Sequence, residues 1–368
     1  MNKYVKRYCI DAMSGMAQGL FASLLIGTII KTLGQQLLRI NENPIFQFLI
    51  DIGNFASESH VVGAAMAVGI GFAMQVPALV LFSLVAVGSA ANVTGGAGGP
   101  LAVLIIAIVA AECGRLVSKK TKVDIIVTPA VTIFVGVLLT VLTAKYIGIA
   151  ANSVGKFLIW TTKLHPFWMG ILISVVVGIA LTLPISSAAI CAAFGLVGLA
   201  GGAAVAGCCA QMVGFAVLSF KENRWGGILS QGLGTSMLQM QNIIKNPKIW
   251  LPAILTSAIT GPIATCVFKL EMNGAAVSSG MGTCGLVGQI GIISGWYNPS
   301  ETAILHGATS ISPTFINWFG LIMICFILPA ILCWSFGLIF RKIGWIKDGD
   351  LSLENKSETK SDKNNKNL

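Results

Sequence analysis

The chain carries several ionisable side chains beside or inside apolar runs, where they could bind a solute or move a proton. Glu58 and His60 open the run VVGAAMAVGIG, and Glu271, Glu301 and His306 flank a later glycine-rich stretch. Ionisable groups at membrane depth cost several kcal/mol and normally face a cavity or a partner. A carboxylate or an imidazole in such a place could accept a hydrogen bond, or a proton, from a hydroxyl group of a bound solute.

Small residues follow Glu58 and His60 along the run from Gly63 to Gly71. Small residues allow other helices to approach closely. We therefore interpret Glu58 and His60 as the mouth or wall of a polar pocket. The alternative is that both side chains are simply solvated where the span begins.

The segment from Phe220 to Ile249 is too polar for an ordinary span, yet it lies between apolar runs. Its uncharged donors and acceptors are of the kind that bind polyols without the cost of a buried charge. The alternative is an amphipathic helix that lies on the inner membrane surface. The complete set of predicted substrate-binding residues is Glu58, His60, Asn92, Gln211, Thr235, Ser236, Gln239, Asn242, Glu271, Glu301 and His306.

Motifs of other chemistries are missing from the sequence. It contains no Walker A lysine loop, no metal-ligand cluster of His, Cys and carboxylates, and no Gly-x-Ser-x-Gly elbow. We therefore predict no cofactor, no bound metal and no independent soluble enzyme.

The elements that must position these residues cross a membrane. The chain has 368 residues, of which 55% are hydrophobic and 10% are charged, whereas about a quarter of the residues in a soluble domain are charged. Windows of roughly 18 or more apolar residues can span a bilayer. The clearest such runs are Ala12–Ile30, Leu101–Val117, Ile125–Ala144, Met169–Leu183, Leu251–Phe268 and Trp318–Phe340.

The basic residues lie in clusters at the ends of apolar runs, although the formal net charge is +10. Lys and Arg at span ends mark the cytoplasmic side. We therefore expect both termini and the loop from Arg115 to Lys122 to be cytoplasmic, and we do not expect the chain itself to bind nucleic acid.

Glycine and proline interrupt the apolar pattern at three places. Val61–Ala91 contains Pro77, which removes a backbone donor and interrupts a helix. Because the N-terminus and the Lys119 loop are both expected to be cytoplasmic, the number of crossings between them must be even, and we interpret this stretch as two short crossings. Asn92–Pro100 is a glycine loop, and Ala275–Gly295 is typical of a re-entrant hairpin. Irregular backbone at membrane depth is tolerated only where protein or a watery cavity satisfies its amides.

The predicted fold is therefore an all-α polytopic transmembrane bundle of about eight to ten spans, with broken helices and re-entrant Gly-rich hairpins. Residues 1–346 form the membrane domain in this interpretation. Residues 347–368 contain five lysines and five acidic residues and little to bury, which predicts a disordered cytosolic tail.

Several long strings resemble the EIIC-like membrane proteins of the bacterial phosphotransferase system, and the nearest branch is the perfringolysin O regulator-like proteins. The resemblance covers roughly Gly63 to Gly291. The strings are NVTGGAGGPLAVLIIAIVAAECGRLVSKKTKVDIIVTP, LTLPISSAAI, GTSMLQMQNIIKNPKIW and GMGTCGLVGQIG.

The resemblance implies a homodimeric sugar permease in the bacterial inner membrane, which works with cytosolic IIB and IIA subunits. The bound sugar is phosphorylated by the separate IIB partner. Such a chain is at most the membrane component of a phosphotransferase. The Gly-Ile-Thr-Glu-Pro string that carries the glutamate near the sugar in well-studied EIIC domains is missing here, so no catalytic residue is transferred. Two alternatives stay open: a ligand sensor of the same fold, and an ion-coupled secondary transporter.

Overall fold

The protein is described from a computed structural model, which covers residues 4, 6–41 and 43–353. Within these residues helices are joined by turns and irregular loops, and Gly198 and Met272 form an isolated bridge. The first helices are α1 (Lys6–Leu38), α2 (Pro44–Ala56), α3 (Ser59–Ala73), α4 (Ala78–Gly95), α5 (Gly99–Val117) and the long α6 (Asp124–Thr161).

Glycine pairs bring the first helices into close contact. A Cβ atom on Gly69 of α3 would overlap the carbonyl of Gly15 in α1, and one on Gly63 would overlap the carbonyl of Gly88 in α4. Small residues allow backbones to approach this closely where lipid supplies no hydrophobic drive for association. The stretch from Val61 to Ala91 thus forms two antiparallel helices that turn before Pro77, as the sequence predicted.

Helices α4 and α5 form a second hairpin. Gly114 near the end of α5 lies against Val80 near the start of α4, so the two helices run antiparallel. Between them Gly96–Gly98 forms a short 3-10 turn, in which Gly96 has a φ of 52° that residues with a side chain rarely adopt. The predicted glycine loop is therefore the tip of this hairpin.

A second group of helices packs around α9, which is buried along nearly its whole length. Gly207 of α9 meets the backbone of Ser174 in α7, and Gly170 of α7 meets Gly261 of α12. The helices of this half are α7 (Pro166–Thr182), α8 (Ser187–Ala193), α9 (Gly198–Leu218), α10 (Phe220–Gly227), α11 (Met240–Lys245), α12 (Pro247–Val267), α13 (Val287–Tyr297), α14 (Glu301–Leu305) and α15 (Phe315–Lys342).

Two segments enter the bundle without crossing it as regular helices. The chain breaks at Leu183–Ser186 before the short α8. Farther along, the 3-10 turn Ala276–Gly280 packs against α13, since Gly291 lies on the side chain of Ser278. The glycine-rich stretch Ala275–Gly295 thus folds as a 3-10 turn followed by α13; its re-entrant path through the membrane stays a prediction.

Six helices in the described residues are long and apolar enough to cross a membrane, and a bent pair, α2 with α3, adds a seventh. One of the six, Ala78–Val117, is the α4–α5 hairpin and passes twice, and the shorter apolar α7 adds a further pass. The all-α polytopic bundle is therefore confirmed, while the number of about eight to ten spans stays a prediction.

One end of the bundle collects the charged loops and both ends of the described chain. Arg7 pairs with Glu112 at 3.0 Å, and Glu112 pairs with Arg115 at 2.7 Å. Helix α11 packs against the N-terminal turn, and the next residue, Asn246, donates to the Trp345 carbonyl at 2.9 Å. We call this the polar end.

The segment Ile346–Leu353 differs from the expected tail because it is packed at the polar end. Ile346 and Leu351 are buried in a cluster with Phe215 and Ile249. Main-chain groups of Leu351, Ser352 and Leu353 are hydrogen bonded to side-chain amides of residues 223–242. The rest of the predicted tail, residues 354–368, lies outside the described residues.

Asp348 gives this segment a pH dependence. A hydrogen bond and the charge of Lys221, at 2.7 Å, lower the pKa of the exposed Asp348 carboxyl, and the Arg341 guanidinium adds to the effect. A lowered folded-state pKa stabilises the fold above the ordinary pKa of aspartate, and this contribution is lost as the pH falls through the lowered value. We expect Asp348→Asn to reduce the apparent Tm slightly at pH 7, and this difference to shrink as the pH falls through the lowered pKa. A Tm difference that grows toward low pH would contradict the assignment.

Candidate functional site

Three interrupted stretches of backbone meet at one point inside the bundle. The Ser186 amide donates to the carbonyl of Ala97, at the tip of the α4–α5 hairpin, at 2.9 Å. The Ser187 hydroxyl donates to the carbonyl of Gly280, in the Ala276–Gly280 turn, at 2.7 Å. The irregular segments therefore satisfy part of each other's hydrogen-bonding capacity, as backbone at membrane depth must.

Two neighbouring cavities lie around this junction. The large cavity has a volume of about 450 Å³, within the ~300–1,000 Å³ of common ligand sites. The small cavity has a volume of about 80 Å³. The residues common to both walls are Leu20, Leu24, Pro100 and Ser186.

The large cavity is lined by uncharged polar groups among apolar ones. Its polar residues are Ser57, Ser59, Asn92, Asn152 and Ser186. The Asn92 amide donates to the Ser59 carbonyl at 2.8 Å and so holds α4 against the start of α3. Among the described residues, the buried Asn152 Oδ1 has no hydrogen-bond partner. Such a wall suits a ligand with hydroxyl groups.

Glu58 and His60 lie beside the large cavity, since Ser57 and Ser59 belong to its wall. Both side chains are exposed, and His60 Nδ1 lies 2.7 Å from Ser89 Oγ. Glu58 occupies the N-cap position of α3, where its negative charge interacts favourably with the positive end of the helix dipole. The structure thus brings Glu58, His60 and Asn92 together at the rim of this cavity.

Residues 219–246 form a hairpin that enters the bundle from the polar end, and we call it the dipping hairpin. Its tip packs against α1, where Gly234 meets the ring of Phe21. Thr235 and Met237 at the tip line the small cavity. The sequence suggested either a set of solute-binding side chains or an amphipathic surface helix. The segment is not a surface helix. Among the described residues, Thr235 is the one predicted binding residue of this segment that lines either cavity.

The other predicted polar side chains of this region form hydrogen bonds within the protein. Gln211 is buried and accepts from Trp250 Nε1 at 2.8 Å, while Ser236 lies 2.8 Å from the Thr182 hydroxyl. Gln239 and Asn242 donate to main-chain carbonyls of Leu351 and Ser352.

Glu271, Glu301 and His306 belong to neither cavity wall. Glu271 accepts from Asn273 Nδ2 at 2.9 Å, and the Asn273 carbonyl accepts from the Ser300 amide at 2.9 Å. Glu301 begins α14 and His306 follows its end, and all three ionisable side chains are exposed. The structure therefore separates this group from Glu58, His60 and Asn92.

Sequence reasoning missed Asn152, Ser186 and the serines at positions 57 and 59 as wall residues. Asn152 stands as a polar residue in the run YIGIAANSVG, and Ser186 follows the helix-breaking Pro184. Those two signals could have identified both positions.

Irregular segments that meet beside a neutral polar cavity within a multi-pass bundle are typical of membrane proteins that bind or move small solutes. A comparison with protein families agrees, because the family model described as "Phosphotransferase system, EIIC" matches residues 10–353. The chain therefore belongs to the phosphotransferase system EIIC family and is a multi-pass membrane protein. No curated protein and no solved structure matches it.

Proposed function

We propose that the protein is the sugar permease component of a phosphotransferase system and that it binds one uncharged sugar in the large cavity. The observation that carries this proposal is the wall of serine and asparagine side chains at the junction of three irregular segments. Such groups hydrogen bond to hydroxyls without the desolvation cost of a buried charge.

Phosphorylation would take place while the sugar is bound. A hydroxyl oxygen of the sugar attacks the phosphorus of a phosphorylated IIB partner, the bond between phosphorus and IIB breaks, and the hydroxyl proton passes to water. Catalysis of such transfer rests mainly on positioning and on charge stabilisation. Glu58 and His60, at the rim of the large cavity, are our candidates to hydrogen bond to the bound sugar.

We assign the polar end to the cytoplasm of a bacterial inner membrane, where a IIB partner would dock. The clustering of Lys and Arg at that end supports this orientation. We also propose a homodimer, as the family resemblance implies.

Uptake into proteoliposomes tests the proposed function. The purified protein is reconstituted with a panel of radiolabelled neutral sugars, with and without the phosphorylated IIB partner. We expect one sugar to accumulate as its phosphate only when the partner is present. Accumulation of unmodified sugar driven by a proton or sodium gradient alone would reject the proposal.

A ligand sensor of the same fold is the second candidate. It is favoured by the exposed position of Glu58 and His60. Because of that position the described wall of the large cavity consists of amides, hydroxyls and apolar groups, with no ionisable side chain to accept a proton from a sugar hydroxyl. Saturable sugar binding without uptake in either condition would identify a sensor.

Asn152 provides a residue test of the large cavity. Its Oδ1 is buried without a hydrogen-bond partner in the described chain. An unsatisfied buried acceptor destabilises the fold by about 1–3 kcal/mol. We therefore expect Asn152→Leu to keep or raise the apparent Tm, because the unsatisfied Oδ1 is removed, and to weaken sugar binding about tenfold, because the amide group of this wall residue can no longer hydrogen bond to the sugar.

The two readouts of Asn152→Leu are a thermal melt and equilibrium binding of the radiolabelled sugar. Ser153→Leu is the matched control, because Ser153 is exposed and its hydroxyl bonds only back to the Ile149 carbonyl in the same helix. A lower Tm with unchanged affinity for Asn152→Leu would show that this residue is structural.

A further inference from the structure

The C-terminal segment Ile346–Leu353 is held by the dipping hairpin through main-chain carbonyls. The Leu351 carbonyl accepts from Asn223 Nδ2 at 2.8 Å and from Gln239 Nε2 at 2.9 Å. The Ser352 carbonyl accepts from Asn242 Nδ2 at 2.8 Å. The Leu351 side chain is fully buried. The family match extends to residue 353, so this segment lies within the matched region.

These contacts complete a chain of buried amides inside the hairpin. Gln239 Nε2 also donates to Gln231 Oε1 at 2.9 Å, and Gln231 Nε2 donates to the Ser219 hydroxyl at 2.8 Å. The side chains of Gln231 and Gln239 are fully buried. Without the Leu351 and Ser352 carbonyls, donors of Gln239 and Asn242 would lose partners in a water-poor place.

The tip of the hairpin lies between the same two glutamines in sequence. Thr235 and Met237 line the small cavity opposite Met281 and Cys284. A buried amide that loses its acceptor is more stable where it can hydrogen bond to water, because each unsatisfied buried group costs about 1–3 kcal/mol. Movement of Gln239 and Asn242 toward the polar end would draw the tip away from Cys284.

Salt bridges on the exposed side of the segment also hold it against the dipping hairpin. Arg341 pairs with Glu222 at 2.9 Å and with Asp348 at 3.1 Å, and Lys221 pairs with Asp348 at 2.7 Å. Lys221 and Glu222 belong to the first arm of the dipping hairpin. The segment is thus tied to both arms of that hairpin.

We propose that Ile346–Leu353 is a latch that keeps the dipping hairpin inserted and the small cavity closed toward the polar end. Release of the latch opens a path from that end to the junction at Ser186. The path serves a solute only if the large cavity binds one, and in that respect the proposal rests on the proposed function. The latch itself is a property of the protein without solute.

Thiol labelling of the purified full chain tests the latch. A water-soluble maleimide is added to the protein in detergent, and the rate of modification is measured by peptide mass spectrometry at Cys284 and at Cys325. Cys284 is 2% exposed in the small cavity wall, and Cys325 is buried in a different cluster with Trp296 and Leu321. Labelling of Cys325 therefore reports global unfolding.

Two variants weaken the latch by different means. Leu351→Asp places a carboxylate in a buried site, and we expect Cys284 to react about a hundredfold faster or more. Asn223→Ala removes the side chain that bonds to both Leu351 and Leu353, and we expect about a tenfold increase from two lost hydrogen bonds. The control Lys347→Ala changes an exposed side chain of the same segment and leaves the rate unchanged.

Faster labelling of Cys284 at an unchanged Cys325 rate in Asn223→Ala supports the latch, whether or not Leu351→Asp folds. An unchanged Cys284 rate in Asn223→Ala, or an equal increase at both thiols in that variant, overturns it. No solute is added, so these outcomes are independent of sugar uptake and binding. A working latch in a protein that binds no sugar would reject only the proposed function.

Discussion

We expect Ala189→Phe to weaken sugar binding by at least about a hundredfold, or ~2.7 kcal/mol. Ala189 is a partly buried residue of α8 in the wall of the large cavity. A phenyl ring added there occupies space that the sugar needs, and close-packed surroundings move little to restore it. Equilibrium binding of the radiolabelled sugar to purified protein measures the effect.

Ala192→Phe is the control for this experiment. Ala192 lies on the same short helix, is exposed, and belongs to neither cavity wall. We expect this variant to bind the sugar as the unmodified protein does. If Ala189→Phe elutes as a folded protein and retains its affinity, the large cavity is not the sugar site.

We expect Gly280→Val to destabilise the protein by about 3 kcal/mol or more and to lower the apparent Tm by on the order of 5 °C or more. A Cβ atom at Gly280 would lie 2.5 Å from the Ser187 carbonyl oxygen and 2.7 Å from the Ala188 nitrogen. Both of those atoms belong to backbone that is fixed at the junction. Because the junction also shapes both cavities, sugar binding should fall with stability.

Two matched variants place the Gly280 effect at the junction. Gly226→Val adds the same side chain where a Cβ meets nothing within 4 Å, and we expect a change of less than about 0.5 kcal/mol. Ser187→Ala removes the hydroxyl that bonds to Gly280 and should cost about 1 kcal/mol. Similar melting temperatures for Gly280→Val and Gly226→Val would mean that the junction is not rigid.

The interruptions of the fold were predictable because glycine and proline have local physical effects. Pro77 removes a backbone donor and separates two helices, and the glycines at positions 95, 96, 98 and 99 permit the tight hairpin tip. The apolar runs gave the approximate spans for the same reason, since length and hydropathy decide what can cross a bilayer.

The meeting of these interruptions was not predictable from the sequence. Ser186, Ala97 and Gly280 are far apart along the chain and bond through main-chain atoms, which every residue carries. Small apolar residues give no partner-specific signal, because any stretch of them allows close approach.

The amides of the dipping hairpin show a different limit of sequence reasoning. Gln239 and Asn242 were predicted to bind solute because they are polar residues between apolar runs. In the structure their acceptors are carbonyls of residues 351 and 352. Composition identifies donors that need partners, but it does not say whether the partner is a ligand or a distant part of the same chain.

The central claim is that the glycine-rich segments enclose the binding site of a neutral sugar. Its most direct test is an experimental structure with the sugar that binds most tightly in the uptake panel. We predict density for the sugar against Ser59, Asn92, Asn152 and Ser186. Density beside Glu271 and Glu301, or in the wide groove of residues 35–50 at the α1–α2 turn, with the large cavity empty, would contradict the claim.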